Sequence, residues 1–293
     1  MQQPRCRVSS IGHKSAFGQP NSASLANFAA ATASATVVKQ MTARGENSSA
    51  DTAGGEGEPS PKWQLRYWPN VPGRAEFIRL ILVEAGQEFS EHCDPEAIYL
   101  DFKCQQKTGW PVFAVPMIKQ GDFELGQTAT ICRYLAKRLG LLPDGEPDRW
   151  RADQTCATVM DFITEGRLAF HGRNFYESYF GQEAETRPYI DYFERHRLPK
   201  FLRHFEQVLS FNAANWDASG GGRFVVGRRV TYCDLCLLHV LRAAESQFPA
   251  AWARSIGDCP RLAEFKAGME DRPRVRDYLS SARCKPFEGN SMM

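Results

Sequence analysis

Residues Trp63 to Gly86 read WQLRYWPNVPGRAEFIRLILVEAG. Trp63 to Trp68 is a short run rich in aromatics and Leu, the composition of a strand. Pro69, Asn70, Pro72 and Gly73 break the run with turn chemistry. A helix follows. Phe77, Ile78, Leu80, Ile81, Leu82 and Ala85 give it a broad apolar face, and Glu76, Arg79 and Glu84 make up the polar side. Tyr67 therefore closes a strand beside a turn and a helix start, where α/β folds carry reactive groups. On these residues alone it reads as one more strand aromatic.

Outward from this stretch, residues 62 to 143 run strand, helix, strand, helix, strand, strand, helix. Glu88 to Cys93 is the second strand, and Ile98 to Lys107 is a poorly patterned helix or loop. Val115 to Lys119 and Phe123 to Leu125 form a hairpin around Gly121. Gln127 to Leu139 is a helix with Ile131, Cys132, Leu135, Ala136 and Leu139 on one face. Pro143 to Pro147 is a linker, and from Asp148 the pattern is helical to the end. Phe201, Leu202, Phe205, Val208 and Leu209 fall at helical spacing, whereas Asn212 to Gly222 reads as a loop. Thr231-x-x-Asp234 is a capping box, with Thr231 as N-cap and Asp234 reaching back. The expected fold is an α/β part, residues 62–143, followed by an all-α part, residues 148–293.

Composition narrows the function classes. A hydrophobic content of 43% and a charged content of 24% are those of an ordinary globular chain. A net charge of +2 gives no argument for nucleic acid or an anionic membrane surface, and no apolar run approaches the ~20 residues of a spanning helix. The nine cysteines are odd in number and scattered, which reads as reduced intracellular thiols. Cys233 and Cys236 form a CxxC, but inside a helical pattern and with no second ligand pair nearby in sequence, so no metal is expected.

Residues 1–61 differ from the rest: rich in Ser, Ala, Gly, Gln, Asn and Thr, they are too poor in apolar residues to build a core. Met1 to Gly45 carry Arg5, Arg7, Lys14, Lys39 and Arg44 and no acid, as organelle transit peptides do. Equal readings are a tail with no address, or a start at Met41. The expected location is the cytoplasm, or a mitochondrion or plastid where the segment is a transit peptide.

Three blocks carry a family resemblance. They are Tyr67-Trp68 with Asn70 and Gly73-Arg74-Ala75-Glu76; Val115-Pro116-Met117 with Glu124 to Leu135; and Phe224-Val225-Val226-Gly227 with Thr231 to Leu235. In order and spacing, over roughly residues 62 to 285, the set resembles cytosolic glutathione transferases of the tyrosine type. The resemblance implies a thioredoxin-like domain followed by a helical bundle domain, in a homodimer without metal. It implies glutathione as co-substrate and small hydrophobic electrophiles as its targets. Tyr67 and Arg74 match the catalytic positions. Lys107, Trp110, Val115, Pro116, Gln127, Thr128 and Asp161 match the glutathione-binding region, with Val115-Pro116 as the family's cis-proline. The second substrate is expected against Trp68, Phe170, His171, Phe175 and Tyr176, with Phe287. The turn departs from the family: it holds both Pro69 and Pro72 and is one residue longer. Two other readings remain, a glutathione-dependent prostaglandin isomerase and a non-catalytic ligand-binding or crystallin-like relative.

Overall fold

A computed structural model describes residues 62–108, 110–174, 177–216, 223–287 and 292. The expectations for residues 1–61, for Phe175 and Tyr176, and for the side chain of Lys107 lie outside the described residues.

The opening stretch folds as its pattern requires. β1 spans Trp63–Arg66, and Tyr67 extends its pairing by donating its backbone N–H to the His92 carbonyl at 3.3 Å. A 3₁₀ turn at Gly73–Ala75 leads into α1, Glu76–Glu84. After β2, Phe89–His92, and α2, Pro95–Thr108, come the hairpin strands β3, Met117–Gln120, and β4, Phe123–Gly126. Gly121 turns the hairpin at φ 60°. α3, Thr128–Arg138, follows directly. The sheet order is β2-β1-β3-β4, with β1 and β2 parallel and the other pairs antiparallel.

The register aligns one cross-strand row: His92 with Arg66, Arg66 with Met117, and Met117 with Gly126. The residue just beyond that row is Tyr67 after β1, Pro116 before β3 and Gln127 after β4. Three residues far apart in sequence therefore leave adjacent strands at one edge of the sheet.

Helices make up the rest. α4 runs Glu146–His171, and its start lies inside the expected linker because Pro147 occupies the first helical turn, where its missing N–H costs little. α5, Glu183–Tyr192, continues through a π turn at Phe193–Arg197 into α6, Leu198–Trp216. Then come α7, Tyr232–Gln247; α8, Pro249–Ile256; α9, Pro260–Glu270; and α10, Pro273–Leu279. α7 is buried from Tyr232 to Leu241 without a break and packs against both α1 and α4. One hydrophobic core results, shared by sheet, α1, α3 and the later helices. Among the described residues no helix is long and apolar enough to cross a membrane.

Two expectations fail for tertiary reasons. Asn212 is helical, not in a loop. Its amide donates to the Phe224 and Gly227 carbonyls at 2.8 and 3.0 Å and accepts the Gly227 N–H at 3.1 Å, so α6 runs on to clasp that turn. Glu76 and Arg79, expected on a polar face, are fully buried. α1 is covered on its far side by α7 and α10, so its charges pair with each other and with Glu91 instead of meeting water.

Candidate active site

Tyr67 is buried, with its ring folded under Gly73. Gly73 has φ 46°, and a Cβ there would strike the Tyr67 hydroxyl, so only glycine lets the turn close over the ring. The hydroxyl accepts the Arg74 backbone N–H at 2.9 Å. Among the described residues no acceptor takes its own proton, which is left to donate. Burial raises the Tyr67 pKa, while the Arg74 N–H and the charges of Arg74, Arg167 and Arg79 work against that rise. The phenol stays protonated at neutral pH and acts as a hydrogen-bond donor. The lengthened turn, with Asn70 at φ 60°, still delivers Arg74 to Tyr67.

A buried ion network props the turn from beneath. Arg79 donates to the Pro72 carbonyl at 2.9 Å, to Glu76 at 3.1 Å and to Glu91 at 2.9 Å. Tyr278 of α10 completes it by donating to Glu76 at 2.9 Å. Glu76 is raised by burial against the pull of Arg79 and Tyr278. From above, His239 of α7 bonds the Gly73 carbonyl at 3.0 Å.

One face of α4 lines the corner. Met160, Thr164, Arg167 and His171 recur at helical spacing. The Arg74 guanidinium donates to Thr164 Oγ1 at 2.7 Å and lies 3.9 Å from Met160 Sδ. Arg167 acts electrostatically on both Tyr67 and Arg74, so two guanidinium groups bear on one phenol. Burial lowers the pKa of each, yet an arginine so lowered remains a cation. Burial and the nearby Arg167 also lower His171, whose Nδ1 is 3.0 Å from the Glu177 carbonyl. The corner thus offers a hydroxyl proton amid positive charge, a setting that favours an anion.

The rest of the sheet edge supplies main chain. The Val115–Pro116 peptide is cis, and both residues are buried. Gln127, exposed at φ 67°, opens α3, and Thr128 behind it is buried. No side chain caps this helix start and its first turn carries no acid, so its N–H groups are available to an anion.

Other expected residues fare differently. Phe170 is core: it packs on Tyr179 and Phe248 at 5.2 and 5.3 Å and forms no open wall. Phe287 stacks on His239 at 6.0 Å, with Arg242 also over its ring. Trp68 is half exposed, Trp110 stands 85% exposed, and Asp161 is exposed on α4. Asp153, eight residues before Asp161, is taken by Arg133 at 2.7 Å and by the Tyr232 hydroxyl, tying α3, α4 and α7 together. Arg167, His239 and the Glu76–Arg79 network were not found by reading the sequence. Only the i, i+3 spacing of Glu76 and Arg79 offered a local signal.

Known proteins share sequence and fold with this chain. The C-terminal domain of glutathione S-transferases, as a family, matches residues 172–282. Glutathione S-transferase P of Bos taurus is 27% identical over 232 residues, covering 78% of this chain and 98% of the relative. Glutathione S-transferase P 1 of Xenopus laevis is 29% identical over 222 residues, covering 75% and 93%. In sequence the chain is similar to glutathione transferases along most of its length, and its C-terminal part matches that family's C-terminal domain. The fold agrees. The pi-class glutathione S-transferase of Onchocerca volvulus superposes with a TM-score of 0.58 at 24% identity, over 74% of this chain and 91% of the other. Prostaglandin synthase D of Nilaparvata lugens gives 0.59 at 18% identity, over 77% and 100%.

Proposed function

We propose that this chain catalyses the attack of the glutathione thiolate on small hydrophobic electrophiles. The single observation that carries the reading is the row of strand ends: Tyr67, Pro116 and Gln127 leave adjacent strands at one edge. Glutathione is an extended tripeptide with a thiol between two carboxylate-bearing ends, and such a row matches its length and polarity. Its γ-glutamyl carboxylate is assigned to the uncapped start of α3 at Gln127 and Thr128. Its central amide is assigned to the Val115 main chain. The thiol is assigned to Tyr67. The glycine carboxylate is assigned to Lys107 and Trp110 on the family resemblance alone.

A free thiol with a pKa of ~8.5 is only a few per cent thiolate at pH 7. The Tyr67 hydroxyl donates to the sulfur, and Arg74, with Arg167 behind it, lowers the cost of the negative charge. The thiol proton is released to solvent, and the thiolate sulfur attacks the electrophilic carbon, forming the C–S bond as a leaving group such as halide departs with its bonding pair. Trp68 and His171 remain as a wall for the second substrate. Asp161, exposed on α4, is assigned to the γ-glutamyl ammonium of a partner subunit's site. The homodimer reading is supported by Trp110 and Phe113, 85% and 90% exposed beside the sheet edge, apolar area for a second copy to cover.

The test is retention on immobilised glutathione together with conjugation of a general aryl halide by the full chain. Retention with thiol-dependent turnover is expected. Retention without turnover supports the ligand-binding relative instead, and failure of both overturns the reading.

A further inference from the structure

His239 is fully buried in α7, yet its Nε2 lies 3.0 Å from the carbonyl oxygen of Gly73, 166 positions earlier. A carbonyl only accepts, so Nε2 carries the proton and Nδ1 is bare. Burial, with Arg242 and Arg79 nearby, lowers the imidazole pKa to about 3, so the ring stays neutral across the working range. Phe77 packs edge-on against it at 4.4 Å and Phe287 stacks at 6.0 Å, which fixes the ring plane. Gly73 is the residue whose missing side chain lets the turn sit on the Tyr67 ring, and the next N–H, that of Arg74, holds the Tyr67 hydroxyl.

We infer that His239 is a positioning residue for the Tyr67 hydroxyl. The helical half of the molecule uses its N–H to hold the Gly73 peptide, and through that peptide it sets where the Tyr67 proton points. Gly73 lies between two anchors, His239 on its carbonyl and Arg79 on the Pro72 carbonyl before it. Without the His239 anchor the φ 46° turn is held only by the Glu76 backbone N–H and by Arg79, and a hydroxyl displaced by a fraction of an ångström makes a poorer bond to sulfur. The inference rests on the transferase reading for its consequence, but not for its geometry.

Three variants of the full chain test it. His239→Phe keeps the ring packing and removes the N–H. His239→Gln puts an amide N–H close to where Nε2 stands. His239→Asn draws the N–H back toward the helix, and serves if the phenylalanine chain does not fold. For His239→Phe we expect turnover lowered on the order of ten- to a hundredfold, with glutathione KM within about twofold and the bound-thiol pKa moved toward its free value. His239→Gln restores most of both, and His239→Asn falls between. A ligand-free readout stands apart from activity: the Tyr67 ionisation, taken as the spectrophotometric difference between the chain and its Tyr67→Phe variant, shifts in His239→Phe. Folded variants with lowered melting points but unmoved thiol and Tyr67 titrations overturn the inference. A shifted Tyr67 titration in a chain that never lowers the thiol pKa overturns the transferase reading and leaves the positioning role standing.

Discussion

The Tyr67 corner and the Thr231 corner are both turns that lead into helices, and they close their hydrogen bonds in opposite ways. At the second, the chain satisfies itself. Asp234 accepts the Thr231 N–H, the Thr231 hydroxyl and the Val225 N–H, each at 2.7 Å, and is fully buried. At the first, Tyr67 accepts the Arg74 N–H but its own proton finds no acceptor among the described residues. The nearby start of α3 is likewise uncapped. A corner with every donor answered contributes stability. A corner with donors left over has hydrogen bonds to offer a ligand, and an unmade buried hydrogen bond is costly. That difference separates two motifs whose sequences look equally like punctuation.

Substitutions sharpen the contrast, the largest effect first. Asp234→Ala strands three donors in the core and costs roughly 3 kcal/mol or more, read from denaturant unfolding, with glutathione KM unchanged in the folded fraction. Burial also pushes the Asp234 carboxyl up to about 6, against its three hydrogen bonds. The native group therefore holds its proton above 3.8, where the unfolded aspartate has lost it. The stability tied to that proton is complete below pH ~4 and is lost as pH rises through about 6, on the order of 3 kcal/mol in all. Asp234→Asn should flatten that part of the stability curve, and an unchanged slope between pH 4 and 6 counts against it.

Tyr67→Phe is the converse case. Turnover should fall roughly ten- to a hundredfold, and the bound-thiol pKa should climb, while unfolding free energy drops only about 1 kcal/mol for the Arg74 N–H left behind. A large stability loss with full turnover would place Tyr67 in the same class as Asp234. The smallest effect belongs to Gln127→Gly. A non-glycine residue at φ 67° stores strain of about 1–3 kcal/mol, so glycine should stabilise the chain by about 1 kcal/mol. The same change should raise glutathione KM, because the side chain no longer frames the α3 start. A lower KM contradicts a ligand role for that helix start.

Much of this was legible in the residues themselves. Aromatic-rich β1, the Pro/Gly break, the period of α1, the hairpin about Gly121 and the capping box all appear where their local patterns put them. These features depend on neighbours within a turn or two, and sequence spacing reports such neighbours directly. The placing of Tyr67 by the Gly73-Arg74 turn belongs with them, since the hydrogen bond that defines it spans only seven residues.

Tertiary structure alone decided which faces are covered and which polar groups meet. Glu76 and Arg79 follow a helical pattern compatible with water, and only α7 and α10 lying over them turn that side into core. Phe170 has the composition of a substrate wall and was made core by Phe248. His239 sits in a run of apolar residues with no motif around it, and its partner is 166 residues away. No local period encodes such a pairing. It exists because burying a carbonyl and an imidazole side by side is cheaper than burying either alone, and which two are brought together is set by how the helices pack onto the sheet.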